Sequence, residues 1–262
     1  NFHEQSAEKT LMGRLHIAIL SDLHIAPENE FPYRVDTRAN FLAALDLLKK
    51  DETDLLILGG DLCFRDGDKE VYTWIKKQIE KLGIPYKVIS GNHDNPSLLR
   101  AVFHPEKPMQ REEFYYTENI GGKELIFCDS TEAKLSDMQW SWLKNTIEKR
   151  EENALIFIHH PPFECRVPYM DNHYAFQQID KMEELISSMD QTLFFFCGHY
   201  HCEKTIIHQN STVFINPSTF FNLDDRHEEF VILNNYPSFR RLIIQEEKIE
   251  TSVFYDMSSS NQ

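Results

Sequence analysis

Five short apolar runs in this chain each end in residues able to bind a metal ion, and this repeated ending constrains the fold more than any other feature. The endings are Asp22-Leu23-His24, Gly60-Asp61, Gly91-Asn92-His93, His159-His160 and Gly198-His199-Tyr200-His201. A short, continuous apolar run bounded by turn residues reads as a strand buried inside a sheet. In an α/β sheet the carboxyl ends of the strands lie along one rim, so groups distant in sequence converge there.

The runs alternate with helical patterns. Leu15 to Ser21 predicts a strand, and Asp36 to Lys50 places Phe41, Leu42, Ala44, Leu45 and Leu48 on one helical stripe. Asp54 to Leu58 then enters the second ligand block, and Lys69 to Leu82 predicts a helix that Gly83 stops. Pro85 to Ser90 repeats the strand, with a short helix from Pro96. Beyond Phe114 the spacing predicts a hairpin turning at Asn119 to Gly122, a helix over Ser136 to Lys149, a strand over Ala154 to Ile158, a helix over Asp180 to Met189 and a strand over Leu193 to Cys197. From about residue 202 only short strands follow, among them Lys204 to His208, Thr212 to Ile215, Glu229 to Leu233, Arg240 to Gln245 and Lys248 to Phe254. No repeat and no Pro-, Gly- or Ser-rich linker divides residues 1–262, which predicts a single α/β domain with two packed sheets flanked by helices.

Two ions close together require mixed oxygen and nitrogen ligands and at least one carboxylate able to bridge them. Asp61 is the natural bridge. Asp22 with His24, and His199 with His201, are i, i+2 pairs that can each face one metal if the chain kinks on leaving its strand. Glycines before Asp61, Asn92 and His199 permit close backbone approach. The same ligand types serve Mn, Fe and Zn alike.

Composition narrows the partners. Lys and Arg number 27 against 42 Asp and Glu, a formal charge of −15, and no basic stripe is visible, which argues against extended nucleic-acid contact. A small phosphate ester at a metal centre remains compatible, because bound cations reverse the charge locally. Five cysteines at irregular spacing argue against a disulfide framework and for a reducing, cytoplasmic setting. A zinc cluster built from Cys197 and Cys202 lacks a second thiolate pair. No run reaches the length of a membrane span, and the first residues have no apolar targeting segment. The strand-rich second half has edges to protect, which admits a homodimer.

The ordered blocks D-x-H, GD-x-x, GNH-[DE], H and GH-x-H, here Asp22-Leu23-His24, Gly60-Asp61-Leu62-Cys63, Gly91-Asn92-His93-Asp94, His159 and Gly198-His199-Tyr200-His201, resemble the calcineurin-like metallophosphoesterase superfamily. That resemblance implies a four-layer αββα sandwich with two facing mixed sheets. It also implies one metal held by Asp22, His24, Asp61 and His201, and a second held by Asp61, Asn92, His159 and His199. The implied chemistry is hydrolysis of a phosphate ester by a hydroxide bridging two divalent or mixed-valence ions, with His93 as catalytic acid and Asp94 orienting it. His159-His160-Pro161-Pro162 and Asn216-Pro217-Ser218-Thr219 resemble the bacterial cyclic-nucleotide and glycerophosphodiester phosphodiesterases, implying a small phosphodiester substrate. A phosphomonoesterase, a nucleotide or lipid pyrophosphatase and a non-enzymatic metal-binding scaffold are the alternatives. His160, Tyr200 and His173 are candidates for substrate contact, while His3, His16, His104, His208 and His227 read as surface or packing histidines, and the Pro162 to Tyr174 loop as part of the pocket wall.

Overall fold

The computed structural model describes residues 13–107, 112–246 and 248–257. His3 and the N-terminal segment lie outside the described residues. In chain order the first half runs β1 (Arg14–Leu20), α1 (Thr37–Leu48), β2 (Leu55–Gly59), α2 (Lys69–Ile79), β3 (Tyr86–Ile89) and α3 (Pro96–Phe103). Next come β4 (Tyr116–Ile120), β5 (Lys123–Phe127), α4 (Asp137–Glu148), β6 (Ala154–Phe157), α5 (Pro168–His173), α6 (Ile179–Ser188) and β7 (Leu193–Cys197). The strand-rich end holds β8 (Lys204–His208), β9 (Ser211–Ile215), β10 (Asn222–Leu223), β11 (Ile232–Asn234), β12 (Ser238–Gln245) and β13 (Lys248–Tyr255).

Helices start where the sequence supplies caps. The Asp36, Asn95 and Ser136 side chains accept hydrogen bonds from the N–H groups of Ala39, Leu98 and Gln139, satisfying donors that have no partner within the first turn. The β4–β5 hairpin turns on Gly121 and Gly122 with φ of 59° and 79°, the left-handed pair that a two-residue loop needs.

One sheet has the order β13-β12-β1-β2-β3 and the other β4-β5-β6-β7-β9-β8, each mixing parallel and antiparallel pairs. Alternation along each strand then decides which layer a side chain joins. On β6, Leu155 and Phe157 bury with the first sheet, whereas Ala154 and Ile156 bury with Trp140, Leu143 and Ile147 of α4 and Met182 and Ile186 of α6. On the far side, Phe41, Leu45 and Leu48 of α1 and Val71, Ile75 and Ile79 of α2 cover the first sheet. The result is the helix, sheet, sheet, helix sandwich expected from the sequence.

The two sheets meet across an aromatic ladder. Tyr116, Phe127, Phe157, Phe196 and Phe214 occupy matching positions on five adjacent strands, with ring centroids 4.7, 5.2, 5.0 and 5.2 Å apart in sequence along the row. From the opposite sheet the buried Arg240 guanidinium lies 5.6 Å from the Phe214 centroid and donates to the Asn216 side chain and the Ile215 carbonyl. Such rings bury large area and gain from offset stacking.

Some elements depart from expectation, the short strand β10 among them. Helix α5 forms inside the segment read as a loop, started by Pro168 at its first turn and held by the Asp171 carboxylate, which accepts from the N–H groups of Cys165 and Val167. The strand expected over Glu229 to Leu233 lies instead at Ile232–Asn234, because its pairing with Asn222 and Leu223 sets its register. No helix among the described residues is long and apolar enough to cross a membrane. We predict that Phe157→Ala, which empties the middle of the ladder, lowers unfolding free energy by about 3–5 kcal/mol in denaturant titration; a loss under about 1 kcal/mol would show that the ladder does not carry the interface.

Candidate metal centre

All five ligand blocks reach the same rim, and the chain kinks sharply there. Asp22, His24, Asp61, His199 and His201 have φ of 52°, 43°, 51°, 65° and 49°, left-handed values that non-glycine residues rarely adopt. Each costs on the order of 1–3 kcal/mol and persists only where the surroundings hold it. Here the Asp22 N–H donates to the Gly60 carbonyl (3.0 Å), that of His24 to the Asp61 carbonyl (2.9 Å), and that of His199 to the Asp22 carboxylate (2.9 Å). The reversals turn the i, i+2 pairs so that both members face one centre.

Three overlapping groups of ligand-type atoms result, each with its atoms within 4.8 Å of one another. Asp22, His24 and His201 form one set and Asp61, His159 and His199 another, while His24, Asp61 and His93 form a group that overlaps both on the cleft side. His24 Nε2 is also 3.6 Å from Asp61 Oδ2, which places Asp61 between the sets. Asn92 lines the same cleft as Asp61, His199 and His201. The seven ligands expected from the sequence are therefore brought to one site.

The hydrogen bonds of the imidazoles fix which nitrogen is free. His159 Nδ1 meets the Gly59 carbonyl at 2.8 Å, His201 Nδ1 the Phe221 carbonyl at 3.0 Å, and His199 Nε2 the Tyr174 carbonyl at 2.9 Å. A carbonyl only accepts, so each of those nitrogens carries the proton, and the other nitrogen turns inward as a potential ligand. His159 Nε2 thereby sits 3.3 Å from Asp61 Oδ2 with no hydrogen-bond partner, and His201 Nε2 3.4 Å from Asp22 Oδ1. His24 Nε2 faces His201 Nε2 at 3.1 Å, while His24 Nδ1 is buried without a partner. Nitrogens aimed at carboxylates and at each other need a cation between them, a proton or a metal ion, so the donor set fits divalent ions that displace such a proton.

Burial and charge act in opposite directions on these groups. Burial pushes the His24 imidazole down to about 3 and that of His199 to about 4, leaving both neutral as metal ligands must be. For His159 burial also opposes charge, but the nearby Asp61 and Asp22 carboxylates outweigh it and raise the group to about 9. Asp61 is held well below the ordinary carboxylate range, with burial opposing and His159 and His24 favouring its charge.

Other expected site residues fall differently. His93 is half-buried on the cleft wall, with its ring 4.9 Å from that of His24, its N–H donating to Asp61 Oδ1 (2.8 Å) and its Nδ1 3.1 Å from the Arg65 carbonyl. The orienting contact expected from Asp94 is thus made by a backbone carbonyl. Asp94 instead accepts from the N–H groups of Leu62 and Gly91 and from the Tyr72 hydroxyl, tying the Asp61 loop to the Asn92 loop. Burial, then repulsion from Asp61, raises its carboxyl to about 6.

Nor do the three candidates for substrate contact line the cleft. His160 is buried behind His199, 4.1 Å between centroids, and bonded to the Ser130 hydroxyl. Tyr200 is buried with its hydroxyl donating to Asp171, which fastens α5. His173 is exposed, with its ring tilted against that of Tyr169 at 4.9 Å. The Pro162 to Tyr174 segment does form wall, through Tyr169, Met170 and Tyr174. Sequence reasoning missed Tyr33, Phe64, Phe220, Phe221 and Phe230, which complete a cleft of about 630 Å³; the adjacent pair Phe220-Phe221, just after the Asn216 to Thr219 turn, was the one available signal. Those turn residues also hold β1 in place, since the Ser218 hydroxyl donates to the Asp22 carbonyl and the Thr219 N–H to that of Ser21.

Several glycines at the site leave no room for a side chain, Gly91 and Gly198 among them. A Cβ on Gly91 would collide with the Asp61 backbone nitrogen and carboxylate and lie 2.8 Å from His159 Nε2, whereas one on Gly83 meets nothing within 4 Å. Gly91→Ala is expected to lose at least one bound metal per chain by elemental analysis, while Gly83→Ala keeps both; equal retention would contradict the packing. Because His159 holds a proton below about pH 9, metal binding must displace it, so affinity is expected to rise up to that pH and flatten above it. Calorimetry at pH 7.5 in buffers of different ionisation enthalpy should report about one proton released per chain; no release would place the proton elsewhere.

Residues 15–203 match the family model for calcineurin-like phosphoesterases. A probable cyclic nucleotide phosphodiesterase of Fibrobacter succinogenes is 32% identical over 241 residues, covering 92% of this chain and 94% of that protein. A probable glycerophosphodiester phosphodiesterase of Arcobacter nitrofigilis is 29% identical, covering 81% and 83%. Among solved structures, a dimetal phosphatase from Danio rerio superposes with a TM-score of 0.68 at 13% identity, over 91% of this chain and 95% of that one. With its matched span enclosing every ligand block of the dinuclear metal-binding site, this chain belongs to the calcineurin-like phosphoesterase family.

Proposed function

We propose that the chain is a metal-dependent hydrolase of a small phosphodiester, a cyclic nucleotide or a glycerophosphodiester. The observation that carries this reading is the charge of the cleft. Its floor holds the two ligand sets, yet among the described residues no Lys or Arg lines it. A phosphomonoester or pyrophosphate brings a second negative charge that nothing beyond the metal ligands' own ions would neutralise, whereas a diester brings one. The relatives described above as probable phosphodiesterases support the same reading.

Asp22, His24, Asp61 and His201 would hold one ion and Asp61, Asn92, His159 and His199 the other, with Mn, Fe or Zn all suited to the ligand types. Ions bound there supply charge neutralisation of the phosphoryl oxygens and acidify water. The remaining work belongs to side chains. With Nδ1 directed at the Arg65 carbonyl, His93 keeps Nε2 free to hold a proton for the departing alkoxide, and its N–H bond to Asp61 fixes its distance from the floor. Asp94 keeps the two loops in register beneath it.

Rates on bis(p-nitrophenyl) phosphate and p-nitrophenyl phosphate, measured with the Mn²⁺-loaded protein, test the reading. The diester is expected to turn over faster; faster monoester hydrolysis would make the chain a phosphatase. In the same assay His93→Ala is expected to lower kcat at least roughly tenfold with metal content retained. Joint loss of metal and activity would make His93 a ligand.

A further inference from the structure

The rim of the cleft carries apolar rings that packing alone does not explain. Tyr33 is 58% exposed and Phe230 39% exposed, although both belong to the cleft wall. Their centroids lie 5.6 Å apart, and each also contacts the buried ring of Phe221, at 5.2 and 5.7 Å. Phe221 and Phe230 meet at 89°, forming a corner with an open face. Apolar rings clustered and exposed at the rim of a polar site mark a ligand-binding groove.

The backbone beneath Tyr33 is strained as well. Tyr33 and Arg34 are consecutive non-glycine residues with φ of 52° and 64°. The short turn Pro32–Arg34 buries none of its residues, so no core packing requires the conformation. Strain of this kind marks positions where geometry serves a site. What this turn achieves is to set the Tyr33 ring against Phe220 and Phe221, and Phe221 in turn against the metal ligand His201, 4.9 Å between centroids. A ring seated on Tyr33 is therefore one aromatic layer from the ligands.

We propose that Tyr33, with Phe221 and Phe230, is a specificity-determining stacking clamp for a flat aromatic group on the phosphodiester, a nucleobase or an aryl ester, in preference to an aliphatic alcohol. The proposal rests on the phosphodiester reading above and divides its two substrate classes. A cationic headgroup is the other ligand such rings can hold, but among the described residues the only carboxylate lining the cleft is Asp61, which already belongs to the ligand sets. Stacking on an aromatic side chain is sequence-tolerant and strong enough to set selectivity.

The test is the ratio of kcat/KM for bis(p-nitrophenyl) phosphate and for cyclic AMP to that for glycerophosphocholine, in the wild type, Tyr33→Ala and Tyr33→Phe. Tyr33→Ala is expected to lower both ratios at least roughly tenfold, through KM, the size of effect that loss of one stacked ring produces; Tyr33→Phe is expected to restore them. An unchanged ratio, or one that rises because glycerophosphocholine suffers most, overturns the proposal, the second outcome assigning the rings to a cation. Calorimetric binding of AMP to the metal-loaded protein separates this idea from the reading it rests on. AMP binding weakened at least tenfold by Tyr33→Ala supports the clamp even in a protein that hydrolyses no diester, and equal affinity overturns it even in one that does.

Discussion

Two buried carboxylates, Asp22 and Asp61, and four buried imidazoles crowd into a space where ordinary hydrogen bonding cannot satisfy them. Burying such groups is costly unless they are paired. The outward-facing nitrogens of three of them, His159, His201 and His199, are already bonded to the carbonyls of Gly59, Phe221 and Tyr174, which commits their inward nitrogens to a cation. Much of the surrounding architecture follows from that commitment. Five residues accept left-handed backbone, Gly91 accepts no side chain at all, and Asp94 ties two loops together below the site. The sandwich supplies rigidity: with both sheets fixed by the aromatic ladder and Arg240, strand ends from different sheets can be held against each other despite the strain.

The convergence of the candidate ligands on one rim was legible in the sequence because each sits at the end of an apolar run, where strand periodicity and ligand chemistry coincide. Most elements were legible for a related reason. Alternation such as that of β6, and caps such as Asp36 and Ser136, are local signals that tertiary packing reinforces. Contacts between separate loops were not legible. Asp94 follows His93 directly, which suggested that it serves that residue, but its carboxylate points to Leu62, Gly91 and Tyr72 because the turn at Asn92 to Asp94 directs it back under the Asp61 loop. His160 and Tyr200 misled in the same way: adjacency to a ligand places a side chain on the opposite side of the backbone, towards the core.

The aromatic wall was hidden for a different reason. Tyr33, Phe64 and Phe230 stand in connections without periodicity, and nothing in one loop announces that another will lie beside it. Helix α5 contributes Tyr169 and Met170 from a segment whose Pro162 to Tyr174 span suggested a loop. Chemistry in this fold thus comes from strand ends, which sequence reveals well, while the shape around the substrate comes from loops, which it reveals poorly.

In this arrangement Asp61 would lie between two ions, each held by one of the observed ligand sets. Anomalous diffraction from crystals soaked in Mn²⁺ tests it most directly. Two peaks are expected to flank the Asp61 carboxylate, one beside Asp22, His24 and His201 and the other beside Asn92, His159 and His199. A single peak, or two peaks with Asp61 bound to only one of them, would contradict it.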